Sequence, residues 1–110
     1  MGTIKASREI DRAFKTAKRT AHPLLIVLSA HTPEGRDHEG RVAFIAGKRL
    51  GGAVLRNRAR RVLRETVKRV GGPWPGWDVV LIARPSTSTA SASSLDGALK
   101  KLLVRAEVMI

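Results

Sequence analysis

"RVAFIAGKRLGGAVLRNRARRVLRE", residues 41–65, passes from a strand pattern to a helix pattern across a pair of glycines. Residues 41–47 read as a β-strand, and Gly51 and Gly52 punctuate the passage into the helix. From about Ala53, Leu55, Ala59, Val62, Leu63, Thr66, Val67 and Val70 recur at the spacing of one helical face. Val54 and Leu55 are expected to begin the core side, which Val62 and Leu63 continue. Arg56, Arg60, Arg64 and Lys68 form an i, i+4 ladder beside that face, with Arg58, Arg61 and Arg69 further round. Residues 47–65 carry seven positive charges against one negative. Like charges at i, i+4 destabilise a helix, so this density implies a negatively charged partner.

The flanking sequence supplies the remaining elements. Ser7 caps a first helix with Glu9 and Asp11 in its first turns, and Ile10, Ala13, Phe14 and Ala17 form its apolar stripe. Residues 24–30, "LLIVLSA", are a buried strand; 31–40 form a polar turn, across which 41–47 run antiparallel. A short further strand fits at 19–22. "GGPWPG", 71–76, ends the basic helix, and "WDVVLIAR", 77–84, is another strand. Residues 85–93 are a low-complexity loop expected to supply no core. A last helix begins at Ser93 or Ser94, with Asp96 completing a capping box from Ser93, and buries Leu95, Ala98, Leu99, Leu102, Leu103 and Ala106. Helices and strands in this order make one α+β or α/β domain over residues 1–110. The strand–helix–strand unit through the basic helix would ordinarily cross over right-handed.

Composition narrows the function. There are 21 basic and 9 acidic residues, a net charge of +12, and no cysteine, which excludes disulfides and thiolate metal sites. Residues 41–70 hold ten of the basic residues and a single acid, Glu65, so the charge marks one face for a polyanion. A solvated face would mix Glu with Lys. Here seven of the eight basic residues from 49 to 69 are Arg, whose planar fork grips phosphate bidentately. Free amides after the glycine turn add to the attraction. An interfacial membrane helix would set Trp, Phe or Leu against its basic face, whereas this one offers Val, Leu and Ala at core density. No apolar stretch reaches the roughly 18 residues of a membrane span, no signal core follows Lys5 and Arg8, and Ala6 breaks the myristoylation pattern. A soluble cytoplasmic protein is expected.

A helix-turn-helix needs a helix immediately before its reader, but strands precede this one, so RNA fits better than DNA. Phe14, Trp74 and Trp77 are candidates to stack on bases; core packing is the other role, favoured for Trp77 and open for Phe14. Signs of catalysis are weak. His22, His31 and His38 have no metal-ligand spacing, the serines of 86–94 lack a nucleophile elbow, and the carboxylates are scattered. Gly47-Lys48 is no phosphate loop, because Val42 and Arg49 occupy positions that need Gly and Ser or Thr.

The quoted stretch closely resembles the signature of the bacterial ribonuclease P protein subunit. Its matches are Lys48, Arg49, Gly51, Ala53, Val54, Arg56, Asn57, Arg58, Arg60, Arg61, Leu63, Arg64 and Glu65, and the flanking elements fall in the family's order. The resemblance implies an α-β-β-β-α-β-α two-layer sandwich like the second domain of ribosomal protein S5, with a left-handed crossover through the basic helix. It implies an accessory protein, monomeric in a holoenzyme whose large RNA subunit, with magnesium ions, removes the 5′ leader of precursor tRNA. Docking on the catalytic RNA carries over to Arg56, Asn57, Arg58, Arg61 and Arg64. The single-stranded leader would lie against Ile10, Phe14, Leu28, Lys48, Arg60 and Arg84. The chain departs from the family's pattern at Ile10 and Leu28, where aromatics are common, and at Gly47 and Gly52, where Ser and Asn are frequent. A ribosomal-type structural RNA binder would show the same charge pattern. A nuclease working through its own carboxylates and a metal is disfavoured by the scarcity of acids near the basic patch.

Overall fold

Residues 79–83 are five consecutive apolar positions, and a strand of that composition needs cover on both faces. The computed structural model, in which residues 2–3, 17–32 and 39–109 are described, provides it. Five strands form one mixed sheet: β1 (Gly2–Thr3), β2 (Lys18–His22), β3 (Leu25–His31), β4 (Arg41–Ile45) and β5 (Trp77–Ala83). Their order is β1-β4-β5-β3-β2, with β5 central. Two helices, α1 (Ala53–Val70) and α2 (Ala92–Arg105), complete the described α+β domain. The first helix expected around Ile10 and Phe14 lies outside the described residues.

The strand expected near 19–22 is present as β2, hydrogen-bonded antiparallel to β3. β1 was not expected; two residues are too few to carry a period. β3 and β4 run in opposite directions, as expected, yet they are not neighbours. β5 lies between them, antiparallel to β3 and parallel to β4, with His31 opposite Trp77 and Arg41 opposite Asp78. A strand apolar on both faces belongs at the centre, and the crossover through α1 delivers it there.

Strand alternation sorts the core into two faces. Leu25, Val27, Val42, Val79 and Leu81 meet Ala59, Leu63 and Val67 of α1 and Leu95, Leu99, Leu102 and Leu103 of α2. Leu28, Ala43 and Val80 cluster on the opposite face, with Ala17, Ile45 and Ile82 against them. Trp74 is buried in the first cluster; Trp77 only half enters it and stacks on His31 with ring centroids 4.1 Å apart.

On α1 the buried stripe is Ala59, Leu63, Thr66 and Val67. Val54 and Leu55 do not begin the core side: they are 81% and 47% exposed. At about 100° per residue, Val54 stands nine positions before Leu63, half a turn away from it. The helix stops at Gly71, whose left-handed conformation (φ 104°) turns its N–H onto the Val67 carbonyl at 3.0 Å.

The start of α2 also differs from the sequence reading. Ser91, not Ser93, is the cap, accepting the Ser94 N–H at 3.1 Å, so the helix begins at Ala92. Asp96 is thereby released from any capping role and receives the Arg69 Nε–H at 2.9 Å, tying α2 to α1.

Nor is the loop at 85–93 without a buried part. Thr87 is fully buried; its hydroxyl accepts the Arg84 N–H at 2.8 Å and donates to the Leu24 carbonyl at 2.5 Å. Thr87→Val keeps the shape but strips both backbone groups of their partner. It is expected to lower stability by about 1–3 kcal/mol, read as a denaturant midpoint shift at constant slope, with Thr87→Ser largely retaining the wild-type value.

Candidate nucleic-acid interface

The helical period divides the basic residues of α1 into unequal groups. Taking Leu63 as the inward direction, Asn57, Arg58 and Arg61 fall on the far side, and all three are exposed. With Val54 they line a shallow groove of about 460 Å³. Arg60 and Arg64 share one flank of the helix. Arg64 lays its guanidinium over the Phe44 ring, 5.4 Å from the centroid. Arg60 is half-buried and donates to the Asn57 side-chain oxygen. Arg56 sits seven positions before Leu63, almost on the inward stripe. It is half-buried, and its Nε is enclosed without a hydrogen-bond partner among the described residues.

Among the described residues, acids do little to neutralise this surface. The ion pairs seen among the described residues include Arg69 with Asp96, at the far end of α1, and Arg41 with Asp78 in the sheet. Arg58 and Arg61 have no ion-pair partner among the described residues. The N-terminus of α1 reinforces the positive field. Its cap is Gly52, which has no side chain to accept its first amides, and its first turn holds no acid. Gly51 takes φ 124°, and a Cβ there would lie 2.7 Å from Leu55 Cδ1, so the approach to the helix demands glycine. Lys48 and Arg49 are exposed on the short 3-10 turn, Lys48–Leu50, just before it. Exposed cations beside open helix-terminal amides suit a phosphate.

A sequence model of the family described as Ribonuclease P matches residues 2–107. The chain belongs to the ribonuclease P family. The ribonuclease P protein component of Beutenbergia cavernae is 37% identical over 111 residues, spanning 96% of this chain and 92% of that one. That of Dehalococcoides mccartyi is 45% identical over 69 residues, 63% of this chain and 57% of the relative's length. The fold agrees as well: the solved Staphylococcus aureus RNase P protein superposes with a TM-score of 0.82 at 26% identity, covering 100% of this chain and 99% of that one.

Within this ribonuclease P domain, the residues singled out from sequence occupy several places. Asn57, Arg58 and Arg61 share the outer groove of α1; Arg64 flanks it, and Arg56 is tucked toward the core. Of the expected leader-binding residues, Lys48 is exposed on the 3-10 turn and Arg60 half-buried on α1. Arg84 lines a small pocket with Leu50, Leu55, Ser88 and Thr89 at the start of α1. Leu28 is only 3% exposed, in the cluster on the sheet face away from α1. Ile10 and Phe14 lie outside the described residues. Sequence reasoning missed Val54 as a wall of the groove, although its place on the helical wheel opposite Leu63 signals it. It also missed Phe44 as the platform under Arg64, which only the packing of α1 on β4 reveals.

Proposed function

We propose that this protein is the accessory subunit of a cytoplasmic ribonuclease P. It binds the catalytic RNA through the outer face of α1 and the 5′ leader of precursor tRNA beside it, assisting endonucleolytic hydrolysis that frees the mature 5′ end. The observation that carries the reading is the exposed groove of Asn57, Arg58 and Arg61, whose two guanidinium groups have no ion-pair partner among the described residues, on a helix whose first turn holds no acid. Membership of the family supports reading that RNA as the ribonuclease P RNA. Among the described residues no three His, Asp or Glu side chains gather as a metal site, and none of the described helices is long and apolar enough to cross a membrane. In this reading the magnesium ions and the bond-breaking step belong to the RNA subunit, and the protein supplies binding and charge.

Reconstitution tests this. Purified protein mixed with a bacterial ribonuclease P RNA is expected to lower the magnesium concentration needed to cleave precursor tRNA, while protein alone cleaves nothing. Protein-only cleavage lost on substitution of carboxylates would overturn the assignment. Binding of the RNA with no effect on its magnesium requirement would favour a purely structural RNA binder.

A further inference from the structure

At the opposite end of the sheet from the start of α1, a pocket of about 440 Å³ opens between the end of β3, the start of β5 and the end of α2. Its walls include Lys18, Ser29, His31, Trp77 and Glu107. The volume lies within the range of about 300–1,000 Å³ typical of small-ligand sites. Three features mark it as more than a surface irregularity. The half-buried Trp77 indole and the exposed His31 imidazole already form a stack, 4.1 Å between centroids and 29° between planes. Ser29 is only 3% exposed, and its hydroxyl has no hydrogen-bond partner among the described residues, which costs folding free energy unless a ligand supplies one. Lys18 holds its ammonium 2.8 Å from the Arg105 carbonyl at the exposed C-terminal end of α2, placing a cation at the rim.

We propose that this pocket takes one unpaired nucleobase of an RNA strand, which extends the Trp77–His31 stack while Lys18 meets its phosphate. Aromatic platforms beside cations bind single-stranded nucleic acid in this way, because every base has a face to stack and a backbone charge to neutralise. Ser29 offers a hydroxyl and Glu107 an acceptor to the edge of the base. The site is separate from the arginine face of α1, so one strand or two could be held at both ends of the domain. The choice of RNA as ligand rests on the function proposed above; the pocket itself does not.

The test uses the full chain and a short oligouridylate, compared with an abasic strand of equal charge. Trp77 is half-buried and Trp74 buried, so stacking is expected to quench part of the tryptophan emission with the base-bearing strand and none with the abasic one. Trp77→Phe should abolish the quenching, and His31→Ala, at an exposed position, should weaken oligonucleotide binding about five- to tenfold. Substituting Arg58 and Arg61 should lower affinity while leaving the quenching at saturation intact, which separates failure of this site from failure of the α1 interface. Emission unchanged at saturating oligonucleotide, or equal quenching by both strands, would overturn the proposal. If Trp77→Phe unfolds the chain, the comparison of strands and the His31→Ala titration still decide it.

Discussion

Replacing Arg58 and Arg61 together by alanine is expected to weaken binding to a bacterial ribonuclease P RNA by on the order of 100-fold, since charge-assisted hydrogen bonds to phosphate are among the strongest available at a surface. The two residues lie on the side of α1 away from its buried stripe and have no ion-pair partner among the described residues. Their loss therefore removes little from the folded state, and the unfolding midpoint should stay near the wild-type value. The salt dependence gives a sharper reading than affinity alone. Each phosphate contact contributes about 0.7–0.9 to the slope of log affinity against log salt, so the double variant should flatten that slope by about 1.4–1.8. Lys100 and Lys101 on α2, also exposed, provide the control of equal charge. If removing them costs as much, the RNA senses the overall field of the chain, and the α1 face loses its special role. Arg56→Ala should behave differently. Its enclosed Nε links it to the fold as well as to the partner, so both stability and affinity are expected to move.

That difference between Arg56 and Arg58 shows where sequence reasoning stops. Apolar periodicity located α1, α2, β3, β4 and β5, because burial of one helix face or both strand faces dictates which positions are apolar. The same period, applied to the charges, puts Arg58 outward and Arg56 nearly inward, yet the shared chemistry of the two arginines invites giving both the same RNA-docking role. Strand neighbours were less legible. Alternation says which side a residue faces but not which strand it lies beside, and the insertion of β5 between β3 and β4 is decided by core packing over the whole sheet. Caps fell between these extremes. A run of serines at 91, 93 and 94 offers several equivalent starts, and the structure selects Ser91, leaving Asp96 to bind Arg69 instead of a backbone amide. The family resemblance is what suggests a partner for the α1 face. The His31–Trp77 pocket it left unmentioned, since its parts come from four separated segments.

Asp78→Ala is expected to have the largest effect on stability of any single polar substitution in the sheet. Asp78 stands opposite Arg41 in the β4–β5 register, and the pair is 10% and 13% exposed. Arg41 donates from Nε at 3.1 Å and from Nη2 at 2.6 Å, one to each carboxylate oxygen, and the Thr32 hydroxyl donates to Oδ1 at 3.3 Å. Alanine would take the bidentate carboxylate from a guanidinium largely withdrawn from water, a loss of about 3 kcal/mol or more, or roughly 12–24 °C in unfolding midpoint. Neither residue announces itself in the sequence, since an Asp at the head of a strand and an Arg at the head of another are ordinary edge polarity. Their cost arises only because the register brings them face to face under cover. A double variant, Arg41→Met with Asp78→Val, separates the two sources of that cost. If desolvated charge dominates, removing both charges should recover most of the lost stability, because no cation is left to be desolvated. A double variant as unstable as Asp78→Ala would assign the cost to lost packing and to the Thr32 bond. The pair lies in the sheet, away from Arg58 and Arg61, so either variant, kept below its unfolding midpoint, should bind RNA with the wild-type salt slope.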